Sequence, residues 1–124
     1  SALGHHPACA EAAVLGSPDE ITGQAIWAFV IPKAGFSHDP HHVHKVEHEL
    51  KDTVRHKIGA FAVPKKVVII EDLPKTRSGK IMRRIIRKIL EGATKMEELG
   101  DLSTINNPEI IGKLLTLIHF KSQS

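Results

Sequence analysis

Gln24-Ala25-Ile26-Trp27-Ala28-Phe29-Val30-Ile31 is the stretch that decides the fold. Successive side chains of a strand point to opposite faces, so Ala25, Trp27, Phe29 and Ile31 share one face and Ile26, Ala28 and Val30 the other. Both faces are apolar, which predicts a strand covered on both sides and central in its sheet. Pro32 ends it. Upstream, residues 12–15 form a shorter apolar run expected to be a strand, and Gly16-Ser17-Pro18-Asp19 has turn chemistry. Residues 3–6 suit the last turn of a helix stopped by Pro7. Downstream, Asp39-Pro40 is a helix start, a capping side chain followed by proline at the first helical position. Val43, Val46, Leu50, Val54 and Ile58 then recur at spacings of three and four, one apolar stripe with Gly59 as its C-terminal stop. Residues 66–70, between Pro64 and Pro74, predict another strand. Residues 81–90 predict a short helix, and Asn107-Pro108 caps a last one carrying Ile110, Ile111, Leu114, Leu115 and Ile118. The strands are few and short and alternate unevenly with helices. The expected class is α+β, a small mostly antiparallel sheet with helices packed on it.

The chain's 124 residues suit one domain, and 41% hydrophobic with 25% charged residues excludes global disorder, collagen and a coiled coil. The longest apolar runs, such as residues 25–32, fall far short of the about 20 that a membrane-spanning helix needs. A single cysteine, Cys9, allows no internal disulfide and points to a reducing compartment, the cytoplasm first and the mitochondrion second. The chain starts at Ser1-Ala2-Leu3 without signal or transit chemistry and ends on Lys121-Ser122-Gln123-Ser124, which is not a peroxisomal tripeptide. A piece of a longer protein is the expectation. The net charge of +3 is local. Lys75, Arg77, Lys80, Arg83, Arg84, Arg87 and Lys88 fall within residues 75–88 with no acidic residue among them, and the other ten basic residues share the chain with all 14 acidic ones. One cationic segment on a mildly acidic body predicts an anion docked at one place rather than a surface built for nucleic acid. No membrane partner is expected on the leading reading.

Leu73-Pro74-Lys75-Thr76-Arg77-Ser78-Gly79-Lys80 is the segment that carries chemistry. Pro74 forbids a continuing strand, and Ser78-Gly79 offers a close-approaching backbone just before the expected helix, whose N-terminus suits phosphate. Lys80 adds a mobile point charge. The segment is half of a phosphate-binding loop only, because Ile81 follows Lys80 where Ser or Thr would be required.

Extended to Ile81-Met82-Arg83-Arg84, this segment resembles the C-terminal catalytic-lysine motif of AMP-forming acetyl-CoA synthetases, within the adenylate-forming acyl-CoA synthetase and luciferase superfamily. The resemblance runs along the chain. It takes in Glu11-Ala12-Ala13-Val14-Leu15-Gly16 with Gly23-Gln24-Ala25, then Ile58-Gly59 and Pro64. Leu99-Gly100-Asp101-Leu102-Ser103-Thr104 with Pro108 matches the acetyl and propionyl branch. It implies a two-step acid–CoA ligase. ATP and a carboxylate give an acyl-adenylate and pyrophosphate, and CoA then displaces AMP. It also implies that residues 1–124 are the small mobile C-terminal domain. Its partner would be its own large N-terminal domain, which binds most of the ATP, acid and Mg2+ and which, with the hinge, lies outside this chain. Such a fragment is expected to be inactive alone.

Lys80 takes the catalytic lysine's place in this resemblance, stabilising the charge that grows on the α-phosphate during adenylation. The family's lysine is also acetylated and deacetylated by partner enzymes, which abolishes that charge. Arg55 falls where the family places an arginine near the 3′-phosphate of CoA, and the alternative from its helix spacing is an exposed pair with Asp52 or Glu49. The family often has Gly-Pro where this chain has Gly59-Ala60. Relatives bind a divalent ion through positions matching Gly4, His6 and Cys9, one imidazole and nearby carbonyls. His38, His41, His42, His44 and His48 raise zinc, with His44 and His48 four apart, but no glutamate follows His44 and no third ligand is placed, so a solvated helix start is favoured. Trp27, Phe29 and Cys9 are expected in the core. From a different class, the basic amphipathic helix at residues 81–90 could dock on a membrane surface or an acidic protein, though its apolar face is expected on the sheet. Acetate is the expected acid and propionate the alternative.

Overall fold

Ala28 and Phe29 are completely buried, and Ala25, Trp27, Val30 and Ile31 nearly so, as the two-faced pattern demands. In the computed structural model, which describes residues 2–19 and 23–123, they lie in β2 (Gly23–Pro32). This strand is central: the sheet order is β1 (Cys9–Asp19), β2, β3 (Lys66–Ile69). The chain ends Ser1 and Ser124 lie outside the described residues.

β1 runs through Gly16-Ser17-Pro18, whose turn chemistry predicts a break there. An edge strand tolerates proline because one side of it has no ladder bond to lose. Only residues 20–22 separate β1 from β2, a connection too short for anything but an antiparallel pair. β2 and β3 pair in parallel, from Trp27 opposite Lys66 to Val30 opposite Ile69. The α+β class therefore holds with a mixed sheet, because the return to β3 is a crossover carrying α1 (Pro40–Lys57).

The described residues gather into two compact units, one comprising residues up to 14 with 25–71 and the other 15–19 and 23–24 with 72–123. In the first, the Asp39 carboxylate caps α1 by accepting from the His41 and His42 N–H groups at 3.2 and 3.4 Å. Val46, Leu50 and Val54 on the α1 stripe pack with Leu3, Cys9, Ala28, Val30 and Val67 into one core. The helix ends at Lys57 with Ile58 as its C-cap, and Gly59 follows with φ of 140°, a conformation that favours glycine. The opening helical turn is a 3-10 helix, Ala2–His5, against α1.

In the second unit, α2 (Arg83–Leu90) buries Ile85, Ile86 and Ile89, and α3 (Ile110–Ser122) buries Ile110, Ile111, Leu114 and Ile118. The apolar face of α2 is thus used inside the protein, which removes the surface that insertion into a membrane would need and leaves only its basic edge exposed. Arg84 is a structural cation. Its guanidinium donates to the carbonyls of Leu99 at 2.9 Å and Asp101 at 2.7 Å. Between them Gly100 has φ of 82°, and a Cβ there would lie 3.1 Å from Arg84 Nη1. This explains why the Leu99-Gly100-Asp101 sequence accompanies Arg84. The N–H and hydroxyl of Ser103, with the Arg84 charge adding to them, hold the Asp101 carboxyl below its ordinary range.

Asn107 does not cap the last helix, which starts at Ile110 behind Glu109. Its side chain is bound elsewhere. Asn107 Oδ1 accepts the Lys75 N–H at 2.9 Å, and Nδ2 donates to the Leu73 carbonyl at 2.8 Å and to Asp72 Oδ2 at 3.2 Å. The Asn106 N–H adds a bond to the Lys75 carbonyl at 2.8 Å. Truncating a buried partner strands the groups it served, at about 1–3 kcal/mol. Asn107→Ala should therefore lower the unfolding free energy by about 2 kcal/mol, read from the urea midpoint at unchanged slope.

Candidate functional site

The lysine motif folds as a tight hairpin. Leu73 and Pro74 are buried and anchor it. Lys75 and Ile81 face each other in an antiparallel bridge, the Met82 N–H donates to the Pro74 carbonyl at 2.8 Å, and the Thr76 N–H donates to the Lys80 carbonyl at 2.9 Å. At the tip, the Gly79 N–H donates to the Thr76 carbonyl at 2.9 Å, and Gly79 has φ of 87°. A turn followed by a positive-φ glycine is the hairpin loop that ends in a bulge, which explains Gly79. On its outer side Thr76 makes a second antiparallel bridge to Ile105, so this strand of the hairpin is paired on both edges.

Lys80 stands at the base of that tip, exposed, and among the described residues no hydrogen bond or ion pair holds its ammonium. The backbone is fixed and the charge is free. Ser78-Gly79 belong to the hairpin and not to a helix N-terminus, because α2 starts at Arg83 behind an uncapped Met82. The likeness to a phosphate loop is therefore limited to the cation. Arg77, Arg83, Arg87 and Lys88 are also exposed and keep the surroundings positive. Such a site can offer one movable ammonium to a phosphate held on another body.

Arg55 lies in the other unit, in the last turn of α1, and is half exposed. Its Nη1 is 2.8 Å from Asp52 Oδ1, the pairing that helix spacing allows. An exposed pair of this kind is worth about 0–1 kcal/mol, so a phosphate can compete for the guanidinium. Glu49, the other carboxylate within reach by sequence, binds His6 instead. The His6 ring is 9% exposed, with Nε2 2.9 Å from Glu49 Oε1, and its Nδ1 accepts the Ala8 N–H at 3.0 Å. That bond puts the neutral ring's proton on Nε2, which donates to Glu49. As arranged, the ring has no lone pair left for a cation, so His6 does not suit the divalent ion that the resemblance implies beside Gly4 and Cys9. The Cys9 thiol donates to the Glu11 carbonyl at 3.3 Å, and burial pushes its pKa up. In the histidine cluster, the rings of His38 and His42 pack on Phe36, and His48 Nε2 lies 3.4 Å from Asp52.

Sequence reasoning missed Asn107 and Thr76 as the residues that hold the lysine segment, and Arg84 as the one that holds residues 99–101. Asn107 stands before a proline, where a cap and a buried lock look alike. Thr76 carried no signal beyond its place in the motif.

The AMP-binding enzyme C-terminal domain family model matches residues 1–80. An acetyl-coenzyme A synthetase of Penicillium chrysogenum is 48% identical over 123 residues, 99% of this chain and 17% of its own length. One from Coprinopsis cinerea is 52% identical over 111 residues, 90% of this chain and 16% of its own. Among solved structures, an acyl-CoA synthetase of Brucella canis matches with a TM-score of 0.64 and 40% identity, over 72% of this chain and 16% of that one. An acetoacetyl-CoA synthetase of Streptomyces lividans matches in fold with a TM-score of 0.66 at 23% identity, over 98% of this chain and 16% of that one. The chain spans about one-sixth of the length of the relatives it matches. With its hairpin, its mixed sheet and these matches, the chain belongs to the AMP-binding enzyme C-terminal domain family.

Proposed function

We propose that this chain is the C-terminal domain of an AMP-forming acetate–CoA ligase, working with a large N-terminal domain that holds ATP and the acid. The observation that carries the reading is Lys80, a free ammonium on a hairpin whose backbone is fixed, in a chain 48% identical to an acetyl-coenzyme A synthetase.

In the first half-reaction the acetate oxygen attacks the α-phosphorus of ATP, and pyrophosphate leaves with the electron pair of the broken P–O bond. Negative charge gathers on the α-phosphate oxygens as the phosphorus becomes five-coordinate. A cation placed there stabilises that state more than the bound ground state. Lys80 is the group that does this. Further neutralisation would come from Mg2+ bound with the ATP phosphates, held outside the residues of this chain. In the second half-reaction the CoA sulfur attacks the acetyl carbonyl and AMP leaves. Arg55 serves this step by holding the 3′-phosphate of CoA, exchanging Asp52 for the stronger charge-assisted bond. The two roles fall on different units of the fold, Arg55 in the first and Lys80 in the second. Acetylation of Lys80 would remove its charge and stop the first step. The cytoplasm is the proposed compartment.

In the full-length enzyme, Lys80→Ala should slow adenylation, followed by ATP–pyrophosphate exchange, by about 100- to 1,000-fold. Thioester formation from supplied acetyl-adenylate should stay within a few-fold; equal loss of both steps would refute the role. Arg55→Ala should raise the KM for CoA by about tenfold with adenylation unchanged, and an unaltered CoA dependence would remove Arg55 from the site. The 124-residue chain alone should catalyse neither half-reaction, and turnover by it would place the active site elsewhere.

A further inference from the structure

We propose that Thr76 is the positioning residue for Lys80, acting through its side-chain hydroxyl. The proposal rests on the adenylation role of Lys80 given above. Thr76 grips Lys80 on both sides. Its N–H donates to the Lys80 carbonyl at 2.9 Å, and its Oγ1 accepts the Lys80 N–H at 3.2 Å. The second bond is unusual for its donor. In the bulged tip the Thr76 carbonyl receives the Gly79 N–H at 2.9 Å, and the hydroxyl takes the next N–H along, that of Lys80. Ser78 Oγ, 2.9 Å from Thr76 Oγ1, completes the arrangement and orients the hydroxyl.

The Thr76 backbone is itself held from outside by the bridge to Ile105 and the paired Lys75 carbonyl next to it. Rigidity is therefore passed from the 105–107 segment through Thr76 to Lys80, whose ammonium is free. The tip is exposed, so an N–H released from Oγ1 can find water and the fold loses little. What is lost is the direction in which Lys80 departs from the chain, and a misplacement of about 1 Å in a reacting group can cost a hundredfold in rate. The hydroxyl thus acts on the reaction more than on stability.

The test uses Thr76→Val, which keeps the shape and removes the hydroxyl, and Thr76→Ser, which keeps the hydroxyl, in the full-length enzyme beside Lys80→Ala. Thr76→Val should lower the adenylation kcat by about ten- to a hundredfold with the KM for ATP and acetate little changed. Thioester formation from supplied acetyl-adenylate and the thermal midpoint should stay near the parent values. Thr76→Ser should recover adenylation to within about threefold. Thr76→Ala, which also lacks the hydroxyl, takes the place of the valine variant if that one folds poorly. Parent-like adenylation in Thr76→Val overturns the proposal, as does equal loss in the serine variant or equal loss of both half-reactions. A silent Lys80→Ala instead overturns the adenylation role of Lys80, so the two failures are told apart.

Discussion

A single side-chain amide, that of Asn107, closes the root of the hairpin on which the lysine stands. It receives the Lys75 N–H and gives its own protons to Leu73 and Asp72, and it is 8% exposed. Those groups follow β3 and precede the tip, where Pro74 has removed one backbone donor and the chain has left its sheet. Without a partner from elsewhere they would be stranded at a buried place. The carboxamide accepts one bond and donates two, whereas a carboxylate only accepts and a hydroxyl has a single proton to give. The hairpin is thereby a rigid extension of the second unit.

Arg84 performs a related task for the neighbouring segment. A guanidinium on the exposed edge of α2 gathers two carbonyls from residues 99 and 101, and the glycine between them keeps the approach open. The cationic stretch that stands out in the sequence is therefore divided by the fold. Arg84 is used in the structure, while the ammonium of Lys80 remains free. The first unit shows the same economy. His6 has both ring nitrogens engaged, one of them with Glu49 midway along α1, whereas Arg55, in the last turn of that helix, is restrained only by an exposed aspartate.

Much of the fold is legible in the sequence because it rests on periodicity and local chemistry. The two-faced apolar run from Gln24 to Ile31 identifies the central strand, and Asp39-Pro40 with the stripe through Val46, Leu50 and Val54 identifies α1. Gly79 and Lys80 stand out in the sequence, yet the local picture differs: a bulged hairpin occupies the place where their spacing predicts a helix N-terminus. Pro18 suggests a turn, but at an edge strand proline costs no necessary bond. Asn107 suggests a cap because the residue before a proline is pushed from helical backbone whether or not a helix follows at once. Two compact units in so short a chain leave no mark in composition or length.

The class of fold, the central strand, the long helix and the lysine motif are each written in residues that lie close together in the chain, and reading along it is enough to find them. Three features arise only once the chain has closed on itself: β3 lies parallel to β2, Asn107 locks a segment more than thirty residues away, and Thr76 holds Lys80 while the ammonium of Lys80 stays free. Strand direction follows from the path of a crossover, and a hydrogen bond between distant residues follows from which polar groups are left unpaired when the chain closes. Neither quantity exists until the apolar faces have been brought together.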